Sequence, residues 1–230
     1  MNKAQKFRRT ILALLLLIGG GVFVAISPQF QQAPAPETKI EQPTGDAASA
    51  LETLEVKGRA PKTGYAREQF GDGWSEANGC DTRNIILARD LTEVVTNDKC
   101  QVTSGILDDP YTGEIIHFQR GSGTSDDVQI DHVVALSDAW QKGAQGLSPE
   151  RREALANDSL ELLAVDGKAN QQKSDGDAST WLPPNKAFRC QYVSRQVAVK
   201  KKYSLWVTAA EKEAISRVLT GCPGQPLPAE

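Results

Sequence analysis

Apolar and polar residues alternate along this chain with different periods, and the first stretch is unlike the rest. Residues 11–26 are apolar except for Gly19, Gly20 and Gly21, and Lys3, Lys6, Arg8 and Arg9 precede them. That layout is an export signal. Its length falls between a signal-peptide core and a short spanning helix, and Ala33-Pro34-Ala35 is a poor cleavage site because Pro36 follows it. Residues 1–27 are therefore read either as a signal peptide or as an N-terminal membrane anchor with its basic end in the cytoplasm. Gln, Pro, Ala and Thr then dominate residues 28–50. With so few large apolar side chains, this segment cannot offset its ordering entropy and is read as a flexible tether to a domain at 51–230.

Within that domain, Ile85, Ile86 and Leu87 mark a helix over residues 82–91. Strand-like runs at 101–107 and 114–119 flank Asp109-Pro110-Tyr111-Thr112-Gly113, a turn signal that predicts a hairpin. Helices are predicted at 133–141, 149–156 and 209–219; the second has Ser148 as N-cap, Pro149 at its first position and Glu150 in its first turn. No internal repeat is visible. The mixture predicts an α+β domain.

At 230 residues, the chain has room for one such domain with an appendage. Its 40% hydrophobic and 24% charged residues exclude a wholly disordered chain and a polytopic membrane protein. A formal net charge of −3 argues against bulk electrostatic coating of nucleic acid, so any phosphate-binding face must be local. Residues 185–203 contain six basic side chains and no acid, and Lys200-Lys201-Lys202 could be a solvated face or part of a backbone-binding strip. The four cysteines, in a chain marked for export, allow three disulfide pairings, of which Cys80 with Cys100 and Cys190 with Cys222 is expected. Zinc competes weakly, since no CxxC occurs and only two histidines are present.

Asp131-His132 closes the apolar segment Val128-Gln129-Ile130, Asn157 follows 25 residues after His132, and Asn170 precedes Lys173 by one helical turn. Phosphodiester hydrolysis calls for a hard cation, a base for the attacking water and a group that orients that base. Asp and Asn offer oxygen ligands, and His suits the base near neutral pH. Neighbouring strand residues face opposite ways, so Asp131 and His132 can share a site only if the strand bends or ends there. Asn157 could equally cap a helix, and Asn170 could be a turn residue after Gly167. His117 reads as a strand residue, Trp181 and Trp206 as packing residues, and Arg83 as a phosphate contact or a partner of Asp81 or Asp90.

The runs Asp131-His132-Val133-Val134-Ala135-Leu136, Asn157-Asp158-Ser159-Leu160-Glu161-Leu162 and Asn170-Gln171-Gln172-Lys173 resemble an HNH nuclease with Asn in place of the last His. The chain is similar to the C-terminal HNH domain of GmrSD-type restriction enzymes and, more closely, to secreted bacterial proteins sharing it. That likeness extends over about residues 80–222 and takes in Cys80-Asp81-Thr82-Arg83, the Asp109–Gly113 turn and Trp181-Leu182-Pro183-Pro184-Asn185. It implies a ββα-metal (His-Me finger) core with additional helices, with His132 as general base and Asn157 orienting it from the loop between the strands. Asp131 and Asn170 would be the metal ligands, and Asn in place of His favours Mg²⁺ or Mn²⁺. Arg83, Lys173, Arg195 and Lys200 would contact the substrate. The expected activity is metal-dependent cleavage of DNA, with RNA left open, by a secreted or surface-anchored enzyme that leaves 5′-phosphate and 3′-hydroxyl ends. An inactive extracellular binding module on the same scaffold and a toxin-like effector are the rival readings.

Overall fold

The structure, a computed structural model, describes residues 42–228, all within the unit 41–230. The export segment and most of the expected tether lie outside these residues. Helix α1 (Asp46–Thr53) starts ahead of the expected boundary at 51 and buries Ala47, Ala48, Ala50 and Leu51. The small size of those alanines disguises a packed helix face as linker composition. Helix α2 (Thr82–Asp90) starts where Asp81 accepts from the backbone N–H of Asn84 at 2.7 Å, the capping that its sequence dictates. Before it, β1 (Glu76–Ala77) and β2 (Cys80–Asp81) form a short antiparallel ladder.

Strands β3 (Thr92–Thr96), β4 (Val102–Asp108) and β5 (Ile115–Gln119) form an antiparallel sheet, with the expected hairpin joining β4 and β5 and His117 on an exposed strand position. Strands β6 (Val128–His132) and β7 (Leu162–Asp166) pair separately and antiparallel, with Asp131 opposite Leu163 and His132 opposite Leu162. Their long connection carries α3 (Leu136–Gln141) and α4 (Pro149–Ala156). Helix α3 is shorter than expected because the N–H groups of Val133 and Val134 bond instead to the backbone and carboxylate of Glu161. Helix α5 (Gly167–Lys173) leaves β7 at once, capped by Asp166 and packed on β6 and β7, giving a local β-β-α unit. The turn needs glycine at 167, because a Cβ there would sit 2.0 Å from the carbonyl oxygen of Asp126.

Helix α6 (Arg189–Lys202) carries the basic residues read as a solvated face or a backbone-binding strip, but it runs through the core and buries Tyr192, Val193, Val197 and Val199 beside α1 and α7 (Ala209–Thr220). Lys200 and Lys142 are wholly buried among Asp138, Asp177 and Glu211, with Lys142 Nζ 2.6 Å from Glu211 and Lys200 Nζ 3.0 Å from it. The partners come from distant parts of the chain, so a local reading sees only unmatched basic charge. The disulfides pair Cys80 with Cys100 and Cys190 with Cys222. Among the described residues, no helix is long and apolar enough to cross a membrane.

Candidate active site

His132 is the last residue of β6, where the ladder stops and alternation no longer keeps neighbouring side chains apart. It is 6% exposed, its ring lies parallel to that of Trp74 with centroids 5.7 Å apart, and its Nε2 is 3.0 Å from the carbonyl oxygen of Ala156. A carbonyl only accepts, so Nε2 carries the proton and Nδ1 is left as the basic nitrogen of the neutral ring. Burial, reinforced by the nearby Arg67 guanidinium, pushes the imidazole down to about 3, which keeps it neutral near pH 7.

Asp131 is also buried, and each of its oxygens has a donor. Tyr111 O–H bonds Oδ2, and Lys173 Nζ donates to Oδ1 at 2.9 Å and to the His132 carbonyl at 2.8 Å. Burial raises the Asp131 carboxyl above its usual value, while Lys173 and Tyr111 oppose the shift. Tyr111 reaches this position because Asp109, buried in the hairpin turn, accepts from Thr112 and from the Asp166 N–H. Lys173, expected at the substrate, is instead an interior cation that holds the end of β6. The Asp131 carboxylate and the His132 carbonyl, both on β6, meet its charge, so it faces inward.

Asn157 is the C-cap of α4: its Nδ2 donates to the Glu153 carbonyl at 3.1 Å and its Oδ1 accepts from Ser75 N–H at 2.9 Å. It therefore fixes the turn whose preceding carbonyl, that of Ala156, holds His132. Asn170 Nδ2 donates to Gln129 Oε1 at 2.9 Å, and its amide oxygen has no hydrogen bond among the described residues. Asp131 and Asn170 both line a cleft of about 650 Å³ with His132. One carboxylate and one carboxamide suit, in kind, a hard divalent ion that retains waters and leans on a substrate phosphate. Among the described residues, no group of three or more His, Cys, Asp or Glu side chains is placed to hold a metal ion, so water and substrate oxygens would complete the coordination.

Three cations, Lys62, Arg67 and Arg83, also line the cleft. Arg83 donates to the carbonyls of Ser125 and Val128 and pairs with neither Asp81 nor Asp90. Arg195 and Lys200, expected beside it, do not line the cleft: Arg195 donates to the Leu162 carbonyl at 3.1 Å, and Lys200 is consumed by its buried carboxylates. Lys202 pairs with Asp158 at 2.9 Å, which further disperses the supposed strip. Sequence reasoning missed Lys62, Arg67 and Trp74. The signal available was the glycine-rich Gly71-Asp72-Gly73-Trp74 run, which stands near nothing conspicuous in the sequence.

Residues 81–218 match the family described as GmrSD restriction endonucleases, C-terminal domain, and the chain belongs to that family. It is a nuclease-related domain with two disulfides. Over 203 residues, 87% of this chain and 97% of the relative, it is 35% identical to an uncharacterized secreted protein of Arthroderma benhamiae. No solved structure matches it.

Proposed function

We propose that this protein is an exported, metal-dependent endonuclease of the HNH, or ββα-metal, type that hydrolyses DNA phosphodiesters with His132 as general base. The observation that carries this reading is the bond between His132 Nε2 and the Ala156 carbonyl at 3.0 Å, which fixes the tautomer and leaves Nδ1 to take a proton. It does so at the end of a strand followed, after one long loop, by a second strand and a helix bearing Asn170, in a cleft lined by Arg67 and Arg83. The secreted relative and the basic-then-apolar N-terminus support export.

In the proposed reaction, Arg67 and Arg83 hold the anionic backbone, and Nδ1 of His132 receives a proton from the water that attacks phosphorus. The P–O3′ bond breaks, leaving a 5′-phosphate and, after protonation, a 3′-hydroxyl. Burial is the main cause of the depressed basicity of His132 and the charge of Arg67 adds to it; a phosphate bound by Arg67 offsets the second contribution alone. Mg²⁺ or Mn²⁺ held by Asp131 and Asn170 would supply charge stabilisation at the phosphate and the leaving oxygen. Asn157, Tyr111 and Lys173 act by positioning.

The test is cleavage of plasmid and single-stranded DNA by the purified, oxidised protein with Mg²⁺, Mn²⁺ or EDTA, beside His132→Ala. Metal-dependent cutting that falls by about two to four orders of magnitude in the variant is expected for loss of a general base. Undiminished cutting by His132→Ala would remove its assigned role. No cutting by folded wild type with any metal would leave a binding module.

A further inference from the structure

A second chamber shares His132 with the cleft in its lining. It measures about 340 Å³ and is lined by Arg67, Phe70, Trp74, His132, Leu136 and Ala156, within the size range of about 300–1,000 Å³ usual for small-molecule sites. Arg67, Trp74, His132 and Leu136 line both spaces, so the two adjoin at the base. Its roof, residues 67–74, lies ahead of the family match at 81–218.

This roof is a built structure. Phe70 is 2% exposed and meets Tyr65 and Trp140 edge-on, with centroids 6.4 and 6.3 Å away. Arg152 donates to the Gln69 carbonyl at 2.7 Å and to its side-chain oxygen at 3.2 Å, and Ser75 is tied to Asn157. Gly71 and Gly73 take φ of 100° and 125°, conformations that suit glycine. Against this anchored background, the exposed Arg67 guanidinium makes no hydrogen bond or ion pair among the described residues.

We propose that the chamber is a nucleotide subsite: Arg67, at the junction, takes the backbone phosphate beside the scissile one, and the unpaired base of that nucleotide enters against Phe70, Trp74 and Leu136. Glu68 and Asp72 also line the chamber. Their acceptor oxygens oppose a phosphate inside it and suit the exocyclic amino group of a base. Paired bases cannot enter, so single-stranded or locally opened substrate is favoured. The inference rests on the nuclease reading and names the substrate feature that its site selects.

The experiment is anisotropy of the full chain in EDTA, which removes the metal that the proposed cleavage needs, with a short labelled oligodeoxycytidylate and an abasic strand of equal length. Wild type should bind the base-bearing strand about tenfold tighter or more, the scale of one base packed on an aromatic. Trp74→Ala should abolish that preference, while Trp74→Phe retains part of it and reports on folding. Arg67→Ala should weaken both strands alike and reduce the salt slope by about one. Equal affinity of wild type for the two strands, or equal weakening of both by Trp74→Ala, overturns the subsite. If wild type still cuts DNA with Mg²⁺ in that event, the nuclease reading stands alone. Neither binding nor cutting of any strand sinks both.

Discussion

Asp131 shows how a residue's position on a strand can be legible in the sequence while its environment is not. It stands beside His132, the last residue of the strand, as the dipeptide implies, but Tyr111 and Lys173 each donate to one of its oxygens. Tyr111→Phe keeps the ring packing against Trp181 and Tyr192 and deletes only the donor. Since hydrogen bonds to charged groups contribute about 1.5–3 kcal/mol, urea unfolding of this variant should show a loss of that size. Cleavage should fall less than in His132→Ala, and an unchanged midpoint would mean that the hydroxyl contributes nothing to holding Asp131. Asp131 and His132 were legible as chain neighbours at the end of an apolar segment, and Asn170 through its spacing of one helical turn from Lys173. Arg67, Trp74 and Tyr111 were not, because loop closure brings them to the site, and no period encodes that.

Among the elements, α4 and the 67–75 loop act as one device. Asn157 ends the helix and ties the loop through Ser75, while the neighbouring carbonyl of Ala156 fixes the tautomer of His132. Asn157→Ala removes both side-chain bonds, at about 1 kcal/mol each, and should lower cleavage through loosened orientation of His132 while the fold persists. Asn157→Asp keeps the acceptor for Ser75 N–H and should recover part of the activity. Equal activity in the alanine variant and wild type would reduce Asn157 to a stability role. Helices with explicit caps, α2, α4 and α7, were readable almost to the residue because the cap is local chemistry. Helix α6 was not: its buried Lys200 depends on Glu211 and Asp138, which only the tertiary structure delivers. Helix α1 escaped because alanine burial leaves little hydrophobic signal.

At the scale of the whole molecule, proton binding links the site to global stability, and the sign can be worked out group by group. His132 titrates at about 3 when folded, against about 6.5 for an unfolded histidine. Its contribution is therefore full above about pH 6.5 and declines as pH falls towards 3, with a slope of at most about 1.4 kcal/mol per pH unit. Burial raises the Asp131 and Glu161 carboxyls, so the fold takes up those protons before the unfolded chain does, and they oppose the decline over part of the same window. Asp158, held by Tyr203 and Lys202 below its usual value, adds stability that is lost only as pH drops below the ordinary carboxylate range. A raw stability curve mixes these effects, whereas the difference between wild type and His132→Gln isolates the imidazole. In urea titrations with EDTA, that difference should move steadily against wild type between about pH 6.5 and pH 4. A difference independent of pH would mean that the ring accepts a proton in the fold as readily as in water, which is incompatible with a desolvated base waiting on its substrate.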